Sequence, residues 1–188
     1  MIEIVPYNPG WPIEFREIAG SLRHGLGDLA LRIDHIGSTS VPGLDAKDII
    51  DVQITVAVLD ARLAAAMADI GYILPEHIWL DHRPPHQVGP DADWEKWAFI
   101  EPAGQRLTNT HVRVQGRANQ RYALLFRDYL RAHPATAEAY AELKRRLANH
   151  LADSRMYPEV KDPAVDLIYL AAEEWASSID WEPGSSDA

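Results

Sequence analysis

The chain has 188 residues, 47% hydrophobic and 24% charged, with 28 acidic against 18 basic side chains and a formal net charge of -10. That length suits one domain, or one domain with a helical appendage, and the composition permits an ordinary hydrophobic core. The acidic balance opposes phosphate backbones, so nucleic acid is not an expected partner, and the lack of cysteine excludes disulfides, thiolate nucleophiles and cysteine-based zinc sites. Met1 to Tyr7 lacks the basic-then-apolar pattern of a signal peptide, and no window is apolar enough to span a membrane. A cytoplasmic location is expected.

In chain order, Ile2 to Val5 reads as a short strand or extended arm ended by Pro6. Pro12 suits a first helical turn, and Ile13, Phe15, Ile18, Ala19 and Leu22 keep helical spacing up to Gly25. Leu31 to Ile36 predicts a strand with Leu31, Ile33 and His35 on one face. Gly37 to Gly43 is a loop of small residues, and Asp48 to Val58, dense in β-branched residues, is the clearest strand. Leu59 to Ile70 predicts a helix with Asp60 as N-cap and Gly71 as its stop. Trp97 to Ile100 and Thr110 to Gln115 predict further strands; Gln120 to Ala132, Ala135 to Ser154 and Pro163 to Ser178 predict amphipathic helices. Strands first and helices last imply an α+β (α/β) architecture, a mixed sheet flanked by helices and closed by a helical C-terminal section. The expected division is an α/β core over 1–118, a helical section over 119–180 packed on it, and a frayed polar tail over 181–188.

The informative unit is Asp34-His35-Ile36-Gly37-Ser38-Thr39-Ser40-Val41-Pro42-Gly43-Leu44, followed by Lys47 and then Ile50-Asp51-Val52-Gln53-Ile54. A strand runs into a Gly-Ser turn, and a dozen residues later a second strand presents a carboxylate. Gly37 lets backbone amides approach a phosphate, and the hydroxyls of Ser38, Thr39 and Ser40 can donate to its oxygens. Asp51 and Gln53 share a strand face, where Asp51 could hold Mg²⁺ against nucleotide phosphates while Lys47 adds positive charge.

Gly-Ser followed by Asp-x-Asp/Glu resembles the signature of the nucleotidyltransferase superfamily. More narrowly, the run from His35 to Asp51 is similar to the GrpB family within it, and the similarity continues through His111-Val-Arg-Val, Phe126 to Arg131, and Tyr157 with Lys161. The resemblance implies a nucleotidyltransferase-like fold and a nucleoside triphosphate bound with Mg²⁺. Gly37, Ser38, Thr39, Ser40, Lys47, Gln53, Tyr157 and Lys161 would bind substrate. Asp51 would anchor the metal, with His111 and Arg113 beside it in the catalytic group. Three positions depart from expectation, Asp48 and Arg113 from the family pattern and Gln53 from that of active nucleotidyltransferases. Asp48 stands for a proline, Gln53 for the second carboxylate, and Arg113 for a second histidine, which leaves Asp51 as the one clear acid of the metal-binding triad.

Two classes of function follow: transfer of a nucleotidyl or related group to a small acceptor, or a non-catalytic nucleotide-binding or regulatory module. A protein-interaction domain using the helical section is a third. His77, Asp81, His82 and His86 match no ligand spacing and read as a polar loop able to cover a cleft. Lys144-Arg145-Arg146, with Glu138 and Glu142 nearby, reads as a solvated helix face.

Overall fold

The computed structural model describes residues 2–76 and 79–188. The fold is built around β2 (Ile50–Val56), where alternation divides the chemistry of the molecule. Ile50, Val52, Ile54 and Val56 face one side, each 2% exposed or less, while Asp51, Gln53 and Thr55 face the other. β1 (Arg32–Ile36) pairs antiparallel with β2, and β5 (Thr108–Val114) pairs parallel with it. β4 (Glu95–Phe99) and β3 (Trp79–Leu80) extend the sheet, so that among the described residues the order is β1-β2-β5-β4-β3.

The apolar side of the sheet is covered by α1 (Trp11–Leu26) and α2 (Ala61–Asp69). Trp11, Phe15, Ile18, Ala19, Leu22 and Leu26 form the buried stripe of α1, and Leu63 and Met67 that of α2. Asp60 caps α2 as its sequence predicts, accepting from the amides of Arg62 at 3.0 Å and Leu63 at 3.1 Å. The polar side is covered by α3 (Ala118–Ala132), and α4 (Pro134–His150) and α5 (Tyr157–Ser178) pack on α3 around a second core containing Leu125, Leu130, Tyr140 and Tyr169. The mixed sheet, flanking helices and helical C-terminal section agree with the sequence reading. No helix among the described residues is long and apolar enough to cross a membrane.

Several elements differ from expectation. Ile2 to Val5 forms no strand of the sheet; Val5 alone makes a bridge to Ala46. Leu31 is exposed just before β1, whereas Ile33 and His35 are buried on the α1 side. α5 starts at Tyr157 with Pro158 in its first turn and carries Pro163 inside, where the ring removes one intrahelical hydrogen bond. β3, with two residues, is too short to show the alternation that would have marked it. Residues 181–188, expected to fray, lack helix and strand, yet the Ala188 amide bonds the Ile33 carbonyl at 3.1 Å and Ser186 Oγ accepts from the Ile33 amide at 2.9 Å. The outer edge of β1 is thereby covered.

Candidate functional site

Gly37 ends β1 at φ +67°, a conformation costly for any residue with a side chain. A Cβ there would also lie 2.7 Å from Cγ of Asp51, so the turn and the β2 carboxylate meet only because this position is glycine. β5 lies beside β2 in register, which sets Asn109 next to Asp51, and the Asn109 amide donates to Asp51 Oδ1 at 2.7 Å.

Around this carboxylate lies a cavity of about 160 Å³ whose lining includes Ser38, Lys47, Asp51, Asn109, Tyr140, Lys144, Tyr157 and Lys161. Lys47 comes from the loop before β2, Lys144 from α4 and Lys161 from α5. Lys144 Nζ donates to Ser38 Oγ at 2.8 Å and to the Asp45 carbonyl at 2.5 Å, and Lys47 sits over the Tyr157 ring, 4.3 Å from its centroid. Burial, then repulsion from Lys161, lowers the Lys144 ammonium to about 7. The same two causes, in the same order, lower Lys47, and burial lowers Lys161. Burial pushes the Asp51 carboxyl up, against the hydrogen bond from Asn109 and the nearby lysines. The site is thus an excess of desolvated positive charge in an acidic protein, an arrangement complementary to a small anion.

The sequence-predicted residues divide. Gly37, Ser38, Lys47, Asp51, Tyr157 and Lys161 meet at this cavity. The hydroxyls of Thr39 and Ser40 are used elsewhere: Thr39 Oγ1 bonds His35 Nε2 at 3.0 Å and Ser40 Oγ bonds the Gly37 carbonyl at 2.6 Å. Gln53 and Arg113 belong to a neighbouring closed cluster. Gln53 is fully buried, accepting from Arg113 Nη1 at 2.6 Å and donating to the Gln120 carbonyl at 3.1 Å. Arg113 forks onto both oxygens of Asp81 at 2.8 and 3.0 Å, and Lys96 at 2.5 Å and Asn119 at 3.0 Å complete that carboxylate. The two cations hold the Asp81 carboxyl far below its ordinary range despite burial. His111 pairs with Gln53 across the sheet; its Nδ1 is buried without a hydrogen-bond partner among the described residues, and burial keeps the ring neutral.

The segment read as a covering loop is anchored at one end, because His82 Nε2 lies 2.8 Å from Asp166 of α5. His77 lies outside the described residues, and among those described no group of three His, Cys, Asp or Glu could hold a metal. Mg²⁺, which the superfamily implies, does not fit the donors present. One Asp51 oxygen is already bonded, the Gln53 oxygen faces Arg113, His111 occupies the next strand, and three lysines line the pocket. A larger cavity of about 960 Å³ lies elsewhere, between α1, α4 and the 40–45 loop, and Asp51 is not part of its lining.

A family profile described as GrpB protein matches residues 1–170. The chain belongs to the GrpB family. A solved relative, the conserved protein GrpB from Enterococcus faecalis, is 28% identical, with a TM-score of 0.72 over 92% of this chain and 99% of that one. A UPF0157 protein of Halalkalibacterium halodurans is 37% identical over 79% of this chain and 70% of its own length. A Mycolicibacterium paratuberculosis protein named dephospho-CoA kinase is 37% identical over 97% of this chain but only 48% of its own length, so the chain spans about half of such relatives. Cid1 in complex with its short product ApU superposes at a TM-score of 0.51 with 12% identity, over 77% of this chain and 43% of that one. This likeness shows the nucleotidyltransferase-like fold and no more.

Within this GrpB-family chain, sequence reasoning missed Lys144, Asn109 and Tyr140. Lys144 is 3% exposed, not on a solvated face. Its signal was the stripe Ala137, Tyr140, Ala141 and Lys144, which has the i, i+3, i+4, i+7 spacing of a buried helix face. The charged neighbours Arg145 and Arg146 give the run the composition of a solvated face.

Proposed function

We propose that this chain is a phosphate-recognising module of nucleotidyltransferase-like fold, holding a phosphoryl group of a small molecule between Ser38, Lys47, Lys144 and Lys161. The observation that carries this reading is the convergence of three lysines on one small cavity with a single carboxylate, in a protein of net charge -10. A cavity of about 160 Å³ accommodates a phosphoryl group together with a few atoms of the molecule that carries it. Nucleoside phosphates are the first class to test, because the Cid1 structures are described with nucleotides bound and mycobacterial relatives carry a kinase name. Of the two sequence-derived classes, the non-catalytic binding module agrees better with the site than Mg²⁺-dependent nucleotidyl transfer. The ammonium groups supply the charge compensation that a dication would bring, and Gln53 is closed off by Arg113.

Isothermal titration with pyrophosphate, ATP, CTP, GTP and UTP, each with and without Mg²⁺, tests the reading. Saturable binding without Mg²⁺, weakened by salt, is expected. Binding that requires Mg²⁺, accompanied by pyrophosphate release from a nucleotide, would restore the transferase reading.

A further inference from the structure

Lysine is scarce in this chain. There are four lysines against fourteen arginines, and three of the four line the Asp51 cavity. The fourth, Lys96, is bound to Asp81 at 2.5 Å. Arginine is the better phosphate clamp, being planar, permanently charged and bidentate. An amine differs by being able to lose its proton and then attack an electrophile. A scarce residue type gathered in one pocket therefore points to chemistry that a guanidinium cannot perform.

Lys144 is the amine placed for it. Its Nζ has two acceptors, Ser38 Oγ and the Asp45 carbonyl, and no carboxylate bonds it among the described residues. A neutral amine uses both hydrogens in those bonds and keeps its lone pair for the cavity that it lines. Burial and the charges of Lys161 and Arg145 favour that neutral form, against the opposing pull of Asp45 and Asp51. Lys47 and Lys161 remain to hold an anion in the same space.

We propose that Lys144 forms a Schiff base with a small phosphorylated aldehyde or ketone whose phosphate is held by Lys47 and Lys161. The inference rests on the phosphate-pocket reading and narrows its ligand class. The Nζ lone pair attacks the carbonyl carbon, forming a C–N bond while the π pair moves to oxygen. That oxygen takes one hydrogen from nitrogen; the second leaves with it as the C–O bond breaks, releasing one water and leaving C=N. No oxidant, reductant or second substrate is required.

Pyridoxal 5′-phosphate serves as the probe, with borohydride reduction of the full chain at about pH 7.5 and peptide mass spectrometry. At this pH Lys144 holds roughly 600-fold more neutral amine than an ordinary lysine with a pKa near 10.4. The reduced adduct is expected on Lys144 in preference to Lys47, Lys96 and Lys161. It is expected to diminish with inorganic phosphate, to form poorly with pyridoxal lacking phosphate, and to rise in yield between about pH 6 and 8. Lys144→Arg should lose the adduct, and a circular dichroism spectrum like that of the parent chain would show that the loss is not one of folding. Label spread evenly over the lysines, or an adduct undiminished in Lys144→Arg, overturns the proposal. Phosphate binding without a Lys144 adduct also overturns it but leaves the phosphate pocket standing. A Lys144 adduct that phosphate neither blocks nor slows keeps the reactive amine and removes both the proposed ligand class and the phosphate reading.

Discussion

Two polar clusters sit side by side on the same face of β2, two residues apart, and they are built to opposite ends. Around Gln53, the cations Arg113 and Lys96 meet Asp81, and Asn119 and Gln53 take up further hydrogen bonds. Around Asp51, three lysines face one carboxylate that is already bonded to Asn109, and a cavity remains between them. In the first cluster both cations are bonded to a carboxylate and the space is filled; in the second, among the described residues, no lysine is bonded to a carboxylate and a space remains. Buried charge that finds its counter-charge within the chain serves the fold, whereas surplus charge around a void awaits a partner from outside.

Breaking the filled cluster should give the largest effect. Asp81→Ala strands Arg113 and Lys96, and a loss of about 3–5 kcal/mol in urea unfolding is expected. The protein that remains folded should keep its phosphate-induced rise in melting temperature. A stability loss of only a few tenths would mean that the cluster is not structural. Gly37→Ala comes next. A methyl at φ +67° overlapping the Asp51 carboxylate should cost about 1–3 kcal/mol and abolish the phosphate-induced shift, because the turn must move away from β2.

Changes inside the open cluster should spare stability and alter binding. Lys161→Met is expected to weaken pyrophosphate about tenfold, or ~1.4 kcal/mol, with unchanged or higher stability because a desolvated cation is removed. Asp51→Asn should tighten pyrophosphate in calorimetry, since it removes the one negative charge facing the lysines. A metal anchor would behave in the opposite way, so this variant separates the two readings of Asp51 directly. Gln53→Asp should create no Mg²⁺ binding, because Arg113 would take the new carboxylate.

The smallest effects concern pH. Lys144 sits at about 7 in the folded chain against an ordinary 10.5, so between those values the unfolded chain binds the extra proton. Its contribution to stability therefore rises as pH climbs from about 7 and is flat below it. Phosphate affinity should run the other way, weakening as pH rises through about 7, and Lys144→Met should flatten both trends in melting-temperature titrations. His35, stacked on Phe15 and held by burial at about 3 against 6.5, acts in a lower window. Its neutral form is required by the fold, so stability should fall as pH drops below about 6.5 towards 3. His35→Gln should blunt that acid loss.

Much of this was written locally along the chain. The β-branched run of β2, the Asp60 cap, the amphipathic stripes of α1 and α3 and the Gly37-Ser38 turn before Asp51 all follow from neighbouring residues, because periodicity and turn chemistry act over a few positions. The motif itself pointed to Lys47, and the resemblance to the GrpB family pointed to Tyr157 and Lys161. What the chain alone left open was which charges would meet. Arg113 and Gln53 stood on the same strand faces as the site residues, yet Asp81, from a loop without periodicity, claimed Arg113 and closed that half. Lys144 stood in a run of basic residues, and only the packing of α4 against the Gly-Ser turn carried it inward to Ser38. Both outcomes turn on contacts between residues 32 and 106 positions apart in the sequence. Electrostatic pairing depends on distance in space and on what is excluded from water, neither of which local sequence encodes.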